Sequence, residues 1–134
     1  EYALAKEKED RAIERLSQKA GLFFIYSLGC HYCAVQAKEV KKFLSEHPYF
    51  SYKAVSTDSG VLPEFPDTEV DNGFSVRIGI QNVPAIVLYF PEKGGFLKVS
   101  EGLIDKSTIK RRLILYEKLY ETEDLDKFLY TASY

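Results

Sequence analysis

A short, wholly apolar run, Leu22-Phe23-Phe24-Ile25-Tyr26, leads through three residues into Cys30-His31-Tyr32-Cys33, after which apolar residues recur at helical spacing. That succession of buried strand, cysteine pair and helix constrains the chain more than any other feature. The run is apolar at both alternating positions, as expected of a central strand covered on both faces. From His31 to Glu46, the residues Ala34, Val35, Ala37, Val40, Phe43 and Leu44 follow a helical period, with Lys38, Glu39, Lys41 and Lys42 on the polar side. Pro48 ends that helix, and a strand over Ser51 to Thr57 follows. A strand, helix and strand in this order close as a right-handed crossover with parallel strands.

Upstream, Ala5, Ala12, Ile13, Leu16 and Ala20 recur every three or four positions in a stretch rich in Glu, Lys and Arg, which predicts a surface helix over 1–20 stopped by Gly21. Residues 58–75 hold Gly60, Pro63 and Pro66, the acids Asp58, Glu64, Asp67, Glu69 and Asp71, and the pair Asn72-Gly73, the composition of a loop. A helical turn over Phe74 to Ile78 leads to the β-prone segment Val83 to Phe90, which carries Pro84 at its start. Pro91 closes it, and Glu92-Lys93-Gly94-Gly95 turns into a strand over Phe96 to Ser100. Asp105 begins an amphipathic helix reaching Tyr120, with Ile109, Leu113, Tyr116 and Leu119 or Tyr120 on one face. A short helix with Leu125, Phe128 and Leu129 apolar completes the pattern.

The 134 residues suit one domain, and no apolar run reaches the roughly 20 residues that a membrane-spanning helix needs. A net charge of −2 argues against a nucleic-acid surface, and Lys110-Arg111-Arg112 sits in an amphipathic stretch, as a solvated helix face does. Protein partners are expected instead.

Two cysteines are too few for a disulfide scaffold, so their placement carries the argument. With Cys30 where the strand passes into the helix, its sulfur faces unpaired N–H groups and the positive end of the helix dipole, which favour a thiolate nucleophile. Cys33 lies one turn on along the same face, placed to resolve a mixed disulfide formed at Cys30. His31 and Tyr32 occupy the positions that tune the thiolate. Other readings are a zinc site, a purely structural disulfide, or a pair of inert thiols. Zinc has only Cys30, Cys33, His31 and His47 as Cys or His ligands, with His31 poorly placed. Closing a loop of three residues adds little stability through loop entropy. About fifty residues later, Val83-Pro84 opens a strand: a cis bond there places the Val83 backbone beside the sulfurs for pairing with an extended client, whereas a trans proline is an ordinary strand opener.

Over about residues 21–120 the chain resembles the thioredoxin superfamily. More narrowly, Leu62-Pro63-Glu64-Phe65-Pro66, Asp71-Asn72-Gly73 and Gly79-Ile80-Gln81-Asn82-Val83-Pro84-Ala85 make it similar to the TraF-type pilus-assembly proteins of conjugative transfer systems. The resemblance implies a periplasmic setting, a type IV secretion or pilus-assembly context, and Pro84 as the cis-proline. It also implies a thioredoxin-like domain at the C-terminal part of a longer protein, with residues 1–20 a helix or a connection to an upstream region and 21–134 the domain itself. Gly29 stands where thioredoxins carry Trp, His31-Tyr32 where thioredoxin has Gly-Pro, and Phe24 where it keeps a buried acid. These departures disfavour a thioredoxin of the reducing type.

The expected fold is therefore α/β and thioredoxin-like: a mixed four-stranded sheet in the order 2-1-3-4 flanked by helices, the last two strands antiparallel, with an extra N-terminal helix. The expected function is thiol–disulfide oxidoreduction, forming or reshuffling disulfides in exported proteins. Cys30 attacks, Cys33 resolves, and no cofactor or metal is required beyond the cysteine pair. Expected partners are proteins bearing thiols or disulfides, including secretion or pilus-assembly components, and a redox partner that recycles the cysteines. The alternative is a non-catalytic thioredoxin-like docking module in which the loop 58–75 and the tyrosine-rich C-terminal segment make the contacts. A redox sensor is a third possibility.

Overall fold

A computed structural model gives the structure of the protein and describes residues 2–131. The elements run α1 (Tyr2–Ser17), β1 (Gly21–Tyr26), α2 (His31–Glu46), β2 (Tyr52–Ser56), β3 (Glu69–Val70), α3 (Phe74–Arg77), β4 (Ala85–Phe90), β5 (Gly95–Glu101) and α4 (Lys106–Glu121), followed by a 3-10 turn at Leu125–Phe128. They build one five-stranded sheet in the order β3-β2-β1-β4-β5. β1 pairs parallel with β2 and antiparallel with β4, and β4 pairs antiparallel with β5. The four longer strands thus have the expected order. The difference is the added edge strand: residues expected to lie in a loop return so that Val55 pairs with Glu69 and Ser56 with Val70.

Alternation along the strands divides the interior in two. Leu22, Phe24, Tyr26, Ile86, Leu88, Phe90, Leu97 and Val99 face a large core completed by Ile13 and Leu16 of α1, Cys33, Ala37, Val40 and Phe43 of α2, and Ile109 and Leu113 of α4. Ile25, Val55, Ala85, Val87 and Phe96 face the other way, against Ile78 and Ile80 that follow α3. β1 is thereby covered on both faces, and the one polar group its side chains carry, the Tyr26 hydroxyl, is hydrogen-bonded to Thr68 and Leu62.

α1 is built into the larger core. Ile13 and Leu16 are fully buried, and the Arg15 guanidinium donates to both Glu117 carboxylate oxygens on α4 at 3.3 Å. Ala5, expected on the apolar stripe, is exposed because α1 reaches the core only with its second half.

The inner face of α2 also differs from expectation. Ala34 and Val35 are exposed, and Gln36 takes the buried position one turn after Cys33. The basic trio of α4 is largely engaged within the molecule: Lys110 pairs with Glu46 at 3.3 Å, and Arg112 donates to the Val99 carbonyl of β5 at 2.6 Å. Phe128, expected among the apolar residues of the last helix, is exposed, whereas Leu125 is fully buried. Glu1 and Tyr134 lie outside the described residues.

If α1 is part of the folding unit, Leu16→Ala should lower unfolding free energy by about 3 kcal/mol, the usual cost of truncating a fully buried leucine. Urea titration of the two proteins checks this, and a change below about 0.5 kcal/mol, the range of surface substitutions, would show α1 to be a dispensable appendage.

Candidate active site at the mouth of α2

The register of β1 brings three segments to one end of the sheet. Tyr26, its last residue, pairs with Ser56 at the end of β2, and Ile25 pairs with Ala85 at the start of β4. Residues 27–30, 57–60 and 83–84 therefore converge beyond the strands.

Cys30 is the N-cap of α2, with extended backbone (φ −89°, ψ 122°), and its Sγ accepts from the Cys33 N–H at 3.2 Å. At the N-terminus of a 16-residue helix that N–H and the aligned peptide dipoles stabilise negative charge on the sulfur. Cys30 and Cys33 are joined as a disulfide, with Cα atoms 5.3 Å apart. Cys30 is half-buried and Cys33 fully buried, so the first cysteine is the more accessible from solvent. His31 and Tyr32 are both exposed, their rings edge to face with centroids 5.2 Å apart.

The Val83–Pro84 peptide bond is cis, and the Val83 carbonyl oxygen lies 3.7 Å from Cys30 Sγ. Pro84 is buried and Val83 half-buried. The structure thus brings Cys30, Cys33, Val83 and Pro84 together, with His31 and Tyr32 on the surface beside them. Phe24 packs beneath, fully buried between Tyr26 and Phe65 at ring distances of 5.1 and 5.3 Å. His47, the other histidine, sits at the opposite end of α2, where its Nδ1 bonds the Tyr49 hydroxyl at 2.8 Å. Among the described residues no group of three or more His, Cys, Asp or Glu could hold a metal ion.

Sequence reasoning placed Asp58 among loop acids and missed what it does. Its carboxylate accepts from the N–H groups of Leu28 at 2.9 Å and Gly29 at 3.0 Å, from Gly60 N–H at 3.1 Å and from the Ser56 hydroxyl at 3.1 Å. These bonds fix the turn that delivers Cys30 to the helix. Gly60 is needed there because a Cβ at that position would come within 2.2 Å of Leu28 Cβ. The rest of the loop is also anchored. Tyr26, fully buried, accepts from the Leu62 N–H at 3.1 Å and donates to Thr68 Oγ1 at 2.7 Å, which in turn donates to the Phe65 carbonyl at 2.6 Å. Glu64 pairs with Lys38, Glu69 with Lys53, and Asp67 accepts from Tyr52, while Asp71 caps Gly73 and Ser75. The loop acids serve the fold.

The three backbone N–H groups hold the Asp58 carboxyl down at about 2, below its ordinary 3.8. Since the folded value lies below the unfolded one, the stabilisation is complete above about pH 4 and is lost as pH falls toward 2. Asp58→Asn should therefore unfold at lower urea than the native chain at pH 7, with the gap closing between pH 4 and pH 2. Urea midpoints across that range check it, and a gap independent of pH would refute the role of the charge.

The family model described as TraF, F plasmid transfer operon protein, matches residues 2–114. Protein TraF of Escherichia coli (strain K12) is 25% identical over 114 residues, an alignment covering 85% of this chain and 46% of that protein. The chain thus spans about half the length of that curated relative. Among solved structures, MTB dsbF in its mixed oxidised and reduced forms matches with a TM-score of 0.58 at 17% identity, covering 76% of this chain and 84% of that one. A secreted Mycobacterium tuberculosis disulfide oxidoreductase homologous to E. coli DsbE matches at 0.55 and 14% identity, covering 76% and 85%. These two likenesses establish the thioredoxin-like fold alone. With the greater part of its length matched by the family model and a cysteine pair at the mouth of its first core helix, the chain belongs to the TraF family of thioredoxin-like proteins.

Proposed function

We propose that the protein is a thiol–disulfide oxidoreductase that forms or reshuffles disulfides in exported proteins, in the periplasm, in support of conjugative pilus or type IV secretion assembly. One observation carries the reading: the sulfur of half-buried Cys30 lies at the mouth of α2, next to the Val83 carbonyl, with Cys33 fully buried one turn on. Family membership and the name of the E. coli relative support the setting. No helix among the described residues is long and apolar enough to cross a membrane.

In the oxidising direction a client thiolate attacks Cys30 Sγ, the Cys30–Cys33 bond breaks, and Cys33 leaves as the thiolate. A second client thiolate attacks the client sulfur of the mixed disulfide, forming the client disulfide and releasing Cys30. The two electrons remain on the cysteine pair until a redox partner removes them. In reshuffling, the Cys30 thiolate attacks a client disulfide, and either Cys33 or a client thiol resolves the adduct. No cofactor enters, because the sulfurs themselves carry the electrons. The Val83 backbone, with Pro84 holding it, pairs with the client chain as an added strand, and His31 and Tyr32 border the approach. An oxidising compartment favours oxidation or isomerisation over reduction.

Refolding of a scrambled disulfide protein should be accelerated by the native chain and fall to the uncatalysed background with Cys30→Ser. Equal rates for the two would instead favour a docking module with idle cysteines. With Cys33→Ser, mixed disulfides to client proteins should accumulate and be visible by mass. The reduction potential should lie above the ~−270 mV of thioredoxin, and a value at or below that figure would assign the reducing direction.

A further inference from the structure

Gln36 takes no part in the chemistry above, yet it is a fully buried polar side chain one turn after Cys33. Its Nε2 donates to the Ile104 carbonyl at 2.8 Å, and its Oε1 accepts from the Ile104 N–H at 2.9 Å. Because both partners are backbone groups of fixed polarity, the orientation of the amide is determined. Two residues before Ile104, the Gly102 N–H donates to the Pro84 carbonyl at 2.7 Å. Gly102 has φ +119°, a backbone conformation that residues with a side chain rarely adopt. A continuous path thus runs from the cysteine helix through Gln36, Ile104 and Gly102 to Pro84, whose neighbour Val83 touches Cys30. Cys30, Val83 and Ile104 also pack on the same core cluster that holds Cys33.

We propose that Gln36 is a positioning residue for client recognition, setting the separation between the cysteine helix and the Val83–Pro84 segment so that the Val83 backbone stands ready to pair with an extended chain beside Cys30. The inference rests on the oxidoreductase reading and deepens it: the gap that an extended client enters beside Cys30 is fixed from behind by one amide. Removing that amide takes the partner from both backbone groups of half-buried Ile104 and lets the segment drift, and small misplacements of reacting partners are costly.

The test compares two substrates of the reduced protein: 2-hydroxyethyl disulfide, which has no peptide groups to pair, and an extended peptide bearing a disulfide. Gln36→Met keeps the volume without the polar atoms, and Gln36→Asn keeps the amide but withdraws it by one methylene. Both variants should react with 2-hydroxyethyl disulfide within about twofold of the native rate and with the peptide about tenfold or more slowly, the loss lying mainly in KM. Parallel loss on both substrates, or loss on neither, overturns the inference. If neither variant folds, Gln36 is a requirement of the fold and the inference fails as well. A native chain inert toward both substrates refutes the oxidoreductase reading and takes this inference with it, whereas an active native chain with unaltered variants refutes the inference alone.

Discussion

The double pairing of β1 is the constraint from which the rest follows. Its parallel partner β2 and antiparallel partner β4 must both match its register, so the end of β1, the end of β2 and the start of β4 arrive at one edge of the molecule. Whatever those three termini carry is brought together without any further device. They carry a cysteine at a helix cap, an aspartate and a proline.

Electrostatics then separates the roles of these groups. The N–H groups of Leu28 and Gly29 are taken up by Asp58, whereas that of Cys33 is left for the sulfur of Cys30. The carboxylate therefore anchors the incoming turn and the helix end faces the Cys30 sulfur. Glu39 makes a related tie on the far side of α2, accepting from the Lys106 N–H at 2.9 Å, which together with Lys42 holds its carboxyl below the usual range. The helix that bears the cysteines is thus secured along its length to the segment that opens α4.

What could be read from the sequence was what strict periodicity records. The two-sided apolar run of β1, the cysteine pair and the Asp105 cap that accepts from the Thr108 N–H rest on local pattern, whereas the order of the four longer strands came with the resemblance to the thioredoxin superfamily. Contacts between distant residues left little trace. Gln36 occupies a core position of α2, but a glutamine inside an amphipathic pattern looks like one more polar residue until its partner 68 positions away is known. Asp58 resembled its acidic neighbours because its distant partners, at Leu28 and Gly29, are backbone groups that no side chain betrays. The short strand β3 lay hidden in a segment broken by proline and glycine, since two residues are too few to show alternation.

The guarding of β5 has a consequence for how the protein meets other chains. A sheet's outermost strand offers open backbone groups to any passing chain. Here Phe96 already exchanges both of its bonds with Tyr130, at 2.7 Å each, and the Val99 carbonyl is taken by the Arg112 guanidinium. An unfolded polypeptide arriving at this flank finds these bonding positions occupied, so adventitious strand addition along β5 is blocked at Phe96 and Val99.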